Sequence, residues 1–140
     1  MRQFETTTTI DAPPERVWQV LADTASWSDW DSGVLGVEGE AAEGNRVKIR
    51  SELNPKKAYP VKVTEFDAPR RMAWRGGAPL GLFTGVRTYT LTPEGGSTRF
   101  EMREEFSGPL LPLIWRTMPD MNDSFRQFAS GLKQRAEAAG

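Results

Sequence analysis

The sequence has 140 residues, of which 38% are hydrophobic and 26% are charged, and its formal net charge is −1. This composition is typical of a water-exposed globular chain with enough apolar residues for a real core, so we expect one domain over residues 1–140. The sequence contains no cysteine and no histidine, which excludes disulfides, thiolate nucleophiles, Ser-His-Asp triads and metal sites built on thiolate or imidazole ligands.

The N-terminal part of the chain predicts one strand followed by two short helices. Residues 4–10 alternate between apolar or β-branched and polar side chains, which predicts a strand with Phe4 and Ile10 on its buried face. The prolines that follow suit the first turn of a helix, whose buried stripe includes Trp18. Residues 23–30 are then expected to form a second short helix or a turn.

The middle of the chain predicts four further strands separated by turns. Apolar and charged side chains alternate most regularly over residues 46–53, which indicates a half-buried strand. Clusters of Gly, Pro, Asn and Asp mark the turns. The predicted strands are 34–39, 46–53, 59–64 and 72–75, and the predicted turns are 43–45, 54–57, 67–70 and 76–79.

Two longer strands, 82–92 and 98–106, follow and are expected to form a hairpin about a turn at residues 93–96. One face of this hairpin is apolar, and the other carries Thr, Arg and Glu side chains that suit water. The apolar face comprises Phe83, Gly85, Arg87, Tyr89, Leu91, Phe100, Met102, Glu104 and Phe106. The expected pairing places Leu91 near Thr98, Tyr89 near Phe100, Arg87 near Met102 and Gly85 near Glu104.

Two charged residues, Arg87 and Glu104, therefore fall on a face that is otherwise apolar. A buried charge is unfavourable unless it is paired, so we expect the two side chains to meet each other or a ligand. As a functional pair they would form a polar anchor that orients a carbonyl, a phenol or a carboxylate in an apolar pocket. As a structural feature they would be an ion pair at a sheet edge, or would both lie outside after a register slip.

Residues 109–138 predict one long amphipathic helix, which is the element able to cover the apolar face of the sheet. Its apolar positions recur three, four or seven residues apart. Pro119 interrupts the pattern, and we expect a kink or a short break there, which is either a movable gate or a fixed bend. The apolar stripe is Leu111, Trp115, Met118, Phe125, Phe128 (or Ala129) and Leu132.

The order of strand, two short helices, six strands and long helix resembles the helix-grip superfamily of START-like, Bet v 1-like proteins (SRPBCC). The segments that carry the resemblance are residues 10–18, residues 23–30 and residues 98–108. The resemblance is to the polyketide cyclase and dehydrase branch and extends over essentially the whole chain. It implies an α+β fold in which a curved antiparallel sheet of about six or seven strands wraps around the C-terminal helix. A cavity between sheet and helix is implied as well.

Members of that superfamily include lipid and sterol carriers, coenzyme-Q-binding proteins, plant hormone receptors, aromatase/cyclases and activators of a heat-shock chaperone. The sequence lacks the Rieske domain and the metal triad of the oxygenase members, so that branch is excluded, and we expect no metal and no cofactor. The implied cavity would be lined mainly by bulky apolar residues, which could equally fill it. The expected ligand-binding residues are Trp30, Trp74, Phe83, Arg87, Tyr89, Phe100, Met102, Glu104, Trp115, Met118 and Phe125, and the catalytic candidates are Arg87, Glu104 and Tyr89.

Two further clusters of polar residues allow a functional or a structural interpretation. Asp29 or Asp31, next to Trp27 and Trp30, could supply a general base at the cavity mouth, but Asp is also a common capping and turn residue, and we favour that interpretation. Five basic residues form a strip on one strand face and its turn, which could contact phosphates or a partner protein or simply be solvated. They are Arg46, Lys48, Arg50, Lys56 and Lys57.

Three functions are compatible with these features. The first is binding of a small hydrophobic ligand of lipid, polyketide or aromatic type, as a carrier or sensor. The second is a cofactor-independent cyclase or dehydrase, whose catalysis would depend on carboxylates, Tyr, Lys, Arg or ordered water. The third is a protein-interaction module like the chaperone activators. A large ordered cavity would favour the first two, and a filled core with an exposed apolar patch would favour the third.

We expect a cytoplasmic protein, either a monomer or a homodimer. Residues 1–9 are too polar for a signal peptide, and no stretch approaches the roughly 20 apolar residues that a membrane helix needs. The balanced charge gives no reason to expect a nucleic-acid partner.

Overall fold

A computed structural model describes residues 2–138 and shows a seven-stranded sheet with helices at its inner face. The strands are β1 (Arg2–Ile10), β2 (Val34–Glu38), β3 (Arg46–Ser51), β4 (Tyr59–Asp67), β5 (Arg71–Ala78), β6 (Phe83–Glu94) and β7 (Ser97–Ser107). The α-helices are α1 (Pro14–Ala22), α2 (Leu111–Trp115) and α3 (Asn122–Ala138). Short 3₁₀ helices cover Thr24–Asp29 and Pro79–Gly81.

The sheet is antiparallel throughout, in the order β1-β7-β6-β5-β4-β3-β2. Helix α3 contacts β1, β7 and α1, and it buries one stripe of side chains against them. The alternation of apolar and polar residues along the strands places the other side of the sheet in water. This arrangement confirms the predicted helix-grip fold, including the two short helices between the first two strands. The buried residues of α3 are Phe125, Phe128, Ala129, Gly131, Leu132 and Ala136.

The register of the β6–β7 hairpin differs by two residues from the predicted one. Gly95 and Gly96 form a two-residue turn at φ +55° and +92°, which glycine adopts without strain, and Glu94 pairs with Ser97. Leu91 therefore faces Phe100, Tyr89 faces Met102, Arg87 faces Glu104 and Gly85 faces Phe106. A shift of two residues keeps each side chain on its face, so the predicted apolar face is correct although the pairing was wrong.

Several strand ends also differ from the prediction, and two of them have a clear physical reason. Strand β3 ends at Ser51, and Leu53 is 43% exposed because the chain already turns there, with the Asn54 N–H donating to the Ser51 carbonyl. The corner predicted at residues 76–79 comes later, because Gly77 continues β5 at a φ of +138° opposite Thr84. A Cβ at Gly77 would lie 2.1 Å from the Phe83 carbonyl oxygen, so only glycine allows this close approach.

The predicted C-terminal helix is interrupted at Pro119, which confirms the expected break. The chain leaves helical geometry after α2 and resumes it in α3, with residues 116–121 between them. The Asp120 carboxylate accepts a hydrogen bond from the Asn122 N–H at 2.9 Å, which satisfies one of the free donors at the start of α3. The two helices can therefore pack independently, and none of the helices within residues 2–138 has the length and apolar character to cross a membrane.

Substitution of Gly131 with alanine is expected to lower the free energy of unfolding by about 2 kcal/mol. Gly131 lies where α3 passes the residue 30–31 segment, and a Cβ there would stand 2.1 Å from the Asp31 carbonyl oxygen and 3.0 Å from the Trp30 ring. The clash outweighs the gain of about 1 kcal/mol that alanine normally gives in a helix. Guanidinium unfolding measures the change, with the exposed neighbour Ser130→Ala as the control. A Gly131→Ala variant as stable as the wild type would contradict this packing.

Candidate functional site

Arg87 and Glu104 form an ion pair on the inner face of the sheet, directly opposite each other on β6 and β7. The Glu104 Oε1 atom accepts hydrogen bonds from Arg87 Nη2 at 2.7 Å and from Arg87 Nε at 3.1 Å. The Arg87 guanidinium also lies over the ring of Phe125, with 5.1 Å between its Cζ and the ring centroid. The two side chains are 22% and 15% exposed, so the pair is largely shielded yet open to water on one side.

Only one of the two Glu104 oxygens is used by this pair. Both Arg87 bonds go to Oε1, whereas Oε2 borders Gly85 and the ring of Phe106. A Cβ at Gly85 would lie 2.9 Å from Oε2, so the missing side chain leaves room beside this oxygen. A carboxylate oxygen can accept two hydrogen bonds, and Oε2 is therefore an acceptor available to another molecule.

The electrostatics keep Arg87 charged and Tyr89 neutral. Burial by itself lowers the pKa of the Arg87 guanidinium, but the charge and the hydrogen bonds of Glu104 outweigh it and raise that pKa above its ordinary value. Burial raises the pKa of the Tyr89 hydroxyl, and the Arg87 guanidinium only partly offsets this through its charge and its approach to near hydrogen-bonding distance of the hydroxyl. At neutral pH the inner face thus presents a guanidinium cation and an un-ionised phenol two residues apart on one strand.

Three buried polar atoms find no hydrogen-bond partner within residues 2–138: Tyr89 Oη, Trp74 Nε1 and Trp30 Nε1. All three can donate a hydrogen bond, and Tyr89 and Trp74 are 0% and 3% exposed as whole residues. Most buried polar groups in folded proteins are satisfied, and an unsatisfied donor costs about 1–3 kcal/mol. The three residues belong to one group of contacting aromatic side chains, so their donors are available to an acceptor from outside residues 2–138.

The interior on either side of the ion pair is packed with aromatic rings. One group surrounds Tyr89, with its ring 5.8 Å from Trp74 and 5.7 Å from Phe128. The other surrounds Phe106 and includes a stacked pair of Phe4 and Trp115 at 5.2 Å. The first group is Trp27, Trp30, Trp74, Tyr89, Phe100 and Phe128, and the second is Phe4, Phe83, Phe106, Trp115 and Phe125.

The structure thus brings the expected ligand-binding residues onto one surface, but it packs them against each other. Phe100, Met102 and Phe125 are at most 2% exposed, whereas Phe83, Trp115 and Met118 are half-buried near the break between α2 and α3. Sequence reasoning did not place Trp27 in this set, although its ring stacks on Trp74 at 5.3 Å. A short 3₁₀ helix has no periodic pattern that would have identified its buried side.

Two surface cavities lie away from the ion pair. One, of about 640 Å³, is lined by Arg2, Gln3, Leu111, Pro112 and Trp115 at the junction of β1 and α2. The other, of about 320 Å³, lies between β2, β3 and the turn that follows β3. Trp115 is the one expected ligand-binding residue that lines either of the two.

Four exposed leucines lie on the segments just before β6 and around the start of α2, and we call them the leucine rim: Leu80, Leu82, Leu110 and Leu113. Leu80 is 96% exposed at a φ of +61°, a strained conformation for leucine. The Leu110 N–H donates to the Leu82 carbonyl at 3.0 Å, which joins the two segments that carry the rim. Closely packed aromatic side chains in the interior and exposed leucines at the surface thus occur together within residues 2–138.

Of the two acidic residues considered as general bases, Asp31 has a structural contact and Asp29 is exposed. The Asp31 carboxylate accepts a hydrogen bond from Gln127 Nε2 at 2.7 Å, and it thereby links the segment after the 3₁₀ helix to α3. Asp29 is exposed in the last turn of that 3₁₀ helix. Within residues 2–138 no group of three or more acidic side chains is placed to hold a metal ion.

Comparison with known proteins agrees with this fold. The family described as polyketide cyclase / dehydrase and lipid transport matches residues 1–137 of the sequence. An uncharacterized protein of Mycobacterium tuberculosis is 23% identical over 141 residues, covering 96% of this chain and 84% of that protein.

Two solved structures with the same fold have sequence identities to this chain of 14% and 20%. A START superfamily protein from Mycobacterium smegmatis aligns with a TM-score of 0.72 at 14% identity, covering 99% of each chain. The di-domain ARO/CYC BexL from the BE-7585A biosynthetic pathway aligns with a TM-score of 0.71 at 20% identity, covering 98% of this chain and 47% of BexL. At these identities the similarity shows the shared fold.

Proposed function

Because this chain belongs to the polyketide cyclase/dehydrase and lipid transport family, we propose that it binds a small hydrophobic ligand between the sheet and α3. Arg87 and Glu104 form the polar end of the site. The observation that carries the proposal is the set of unsatisfied polar atoms on this inner face. Glu104 Oε2 is an available acceptor, and the Tyr89 hydroxyl and the Trp74 indole are buried donors with no partner within residues 2–138.

The polar groups favour a particular ligand chemistry. Oε2 of Glu104 accepts a hydrogen bond, while Arg87 and Tyr89 donate, so a ligand that carries a hydroxyl and a carbonyl satisfies both. The surrounding rings offer flat surfaces for stacking, which suits an aromatic or polyketide-type molecule better than a saturated chain. We take the protein to be a carrier or sensor of such a molecule.

A ligand reaches this surface by displacing the segment between β7 and α3. Helix α2 is only five residues long, and it is held to the interior mainly by Leu111 and the half-buried Trp115. The residues that follow it, 116–121, are exposed or half-buried and lie outside regular structure. Few buried contacts and a helix break make this the segment that opens with the smallest loss of stability.

Substitution of Tyr89 with phenylalanine is expected to raise the free energy of unfolding by about 1 kcal/mol, because it removes a buried hydroxyl that has no partner. The same change should weaken binding of 2-naphthol by about threefold to tenfold, since one hydrogen bond to the ligand is lost. Guanidinium unfolding and quenching of tryptophan fluorescence measure the two effects.

Tyr59→Phe is the matched control, because Tyr59 is 40% exposed and its hydroxyl accepts a hydrogen bond from Asn54. It should leave naphthol binding unchanged. Naphthalene, which lacks the hydroxyl, should bind the wild type and Tyr89→Phe equally. A Tyr89→Phe protein that is less stable than the wild type and binds 2-naphthol normally would contradict the proposal.

The bound molecule could also be transformed, as in the cyclase alternative. Glu104 Oε2 would accept a proton from a carbon next to a carbonyl, and the Arg87 cation would stabilise the enolate that forms. The observation that favours the cyclase alternative is that the Glu104 carboxylate and the Arg87 guanidinium are in direct contact. Incubation with an aromatic polyketone and analysis of the products by mass spectrometry distinguishes turnover from binding.

A second candidate is a protein-interaction module that uses the leucine rim. The filled interior and the 96% exposure of Leu80 favour it. This candidate gives no role to the unsatisfied donors at Tyr89 and Trp74, and for that reason we place it second. It predicts that no small molecule binds between sheet and helix.

A further inference from the structure

The outer face of the sheet carries a second feature that ligand binding does not use. Five basic side chains are exposed on three neighbouring strands, and we call them the cationic face: Arg46, Lys48 and Arg50 on β3, Lys62 on β4 and Arg75 on β5. Lys62 stands directly opposite Arg46 on one side and Arg75 on the other. Arg75 follows the buried Trp74, so the cationic face and the ligand site lie on opposite sides of the sheet.

These like charges sit in positions that oppose folding. Side chains directly opposite each other on antiparallel strands lie about 5 Å apart at Cβ, and like charges there are destabilising. None of the ion pairs formed within residues 2–138 includes a member of the cationic face. Glu38 is opposite Lys48 and yet forms no ion pair with it.

On the other half of the same outer face, the charged side chains form ion pairs. On β1 and β7, Arg103 pairs with Glu5 at 3.0 Å and with Glu101 at 3.3 Å, and Glu101 also lies 3.9 Å from Arg99. The charges are therefore paired where β1 and β7 meet, whereas on β3 to β5 the one ion pair found within residues 2–138, Arg71 with Glu65 at 3.0 Å, leaves the five residues of the cationic face unpaired. The imbalance is local, since the whole chain has a net charge of −1.

A groove of about 320 Å³ adjoins the cationic face. Its lining consists of two cations, one carboxylate and a set of small or apolar residues: Lys48, Arg50, Glu38, Leu35, Gly36, Val37, Pro55 and Ala58. Leu35 is 45% exposed, so its side chain is accessible to an apolar group of a partner. The groove thus combines apolar side chains with two cations and one carboxylate, a net positive charge.

We propose that the cationic face and this groove bind a short acidic peptide segment of a partner protein, one that carries a large apolar side chain between carboxylates. The carboxylates neutralise the repelling cations, and the apolar side chain covers Leu35. A lipid bilayer fits less well, because a flat surface leaves the concave groove unfilled. A nucleic acid fits less well, because the outward positions of β3 to β5 carry no aromatic side chain on which bases could stack.

The test uses a fluorescein-labelled peptide in which one leucine is flanked by glutamates, with fluorescence anisotropy as the readout. The wild type should bind it, more weakly as salt is added and more weakly when serine replaces the leucine. The double variant Lys48→Gln/Arg50→Gln should lose about tenfold in affinity, since each exposed charge contributes modestly. Arg116→Gln/Arg135→Gln removes the same charge from two exposed arginines elsewhere and should stay within about twofold of the wild type.

Several outcomes would overturn the proposal: no peptide binding at low salt, the same loss in both double variants, or equal binding of the leucine and serine peptides. Tighter binding to phosphatidylglycerol vesicles or to duplex DNA than to the peptide would also overturn it and would assign the face to a lipid or a nucleic acid. Because the two faces are separate, Lys48→Gln/Arg50→Gln should bind 2-naphthol like the wild type. If the peptide does not bind but 2-naphthol binds normally, the peptide proposal fails and the ligand site stands. If 2-naphthol does not bind either protein, the ligand site fails independently of the peptide result.

Discussion

Replacement of Trp27 with alanine is expected to lower the free energy of unfolding by about 4 kcal/mol, the largest effect we expect from any single substitution in this chain. Trp27 is fully buried, and its ring contacts those of Trp74, Tyr89 and Phe128 at centroid distances between 4.9 and 5.9 Å. Its indole N–H donates to the Leu21 carbonyl at 3.0 Å. Alanine would remove the ring, leave a cavity and leave that carbonyl with one partner fewer.

Small domains have a total stability of about 5–15 kcal/mol, so the Trp27→Ala protein should be partly unfolded at moderate denaturant concentrations where the wild type is intact. Circular dichroism during guanidinium unfolding measures this. Trp30→Ala is the matched control, because Trp30 is only half-buried and its Nε1 has no hydrogen bond to lose within residues 2–138. A Trp27→Ala protein no less stable than Trp30→Ala would show that the 3₁₀ helix does not anchor the core.

Substitution of Arg87 with leucine is expected to lower the free energy of unfolding by about 2 kcal/mol, because it strands the Glu104 carboxylate on an apolar face. The pair is slightly exposed, so the loss is smaller than for a fully buried pair. The double variant Arg87→Leu/Glu104→Leu should recover most of that loss, since two leucines fill the same space without an unpaired charge. A double-mutant cycle of guanidinium unfolding experiments gives the coupling energy.

Arg103→Leu is the control for Arg87→Leu. Arg103 lies on β7 beside Glu104 in sequence, but it points to the outer face, where its side chain is 38% exposed. Exposed ion pairs contribute about 0–1 kcal/mol, so this change should be small. If Arg87→Leu and Arg103→Leu lowered the free energy of unfolding equally little, the inner ion pair would contribute no more to stability than an exposed one.

The fold could be predicted from the sequence because its main signals are local. Alternation along the strands and the apolar stripe of residues 122–138 each identify an element and its buried side. The inner face of β6 and β7 was predicted correctly even though the register was wrong by two residues. Side chains alternate with a period of two, so an even shift preserves the face, and only the conformation of Gly95 and Gly96 decides the pairing.

Whether the interior contains a cavity could not be predicted from such local signals. A sequence shows that Trp74, Tyr89 and Phe100 face inward, but whether they leave a cavity depends on how they fit together with Trp27 and Phe128. That fit is a property of three-dimensional packing. The roles assigned to the candidate site residues therefore stay predictions, whereas the positions of Arg87 and Glu104 follow directly from the observed hairpin.

Native mass spectrometry is the most direct test of ligand binding between sheet and helix. The freshly purified wild type and the Arg87→Leu/Glu104→Leu variant are compared before and after incubation with 2-naphthol or a long-chain fatty acid. We predict that the wild type carries or takes up one small hydrophobic molecule that is released on denaturation, and that the folded double variant does not. No adduct on the wild type under any of these conditions, or equal adducts on both proteins, would contradict the account.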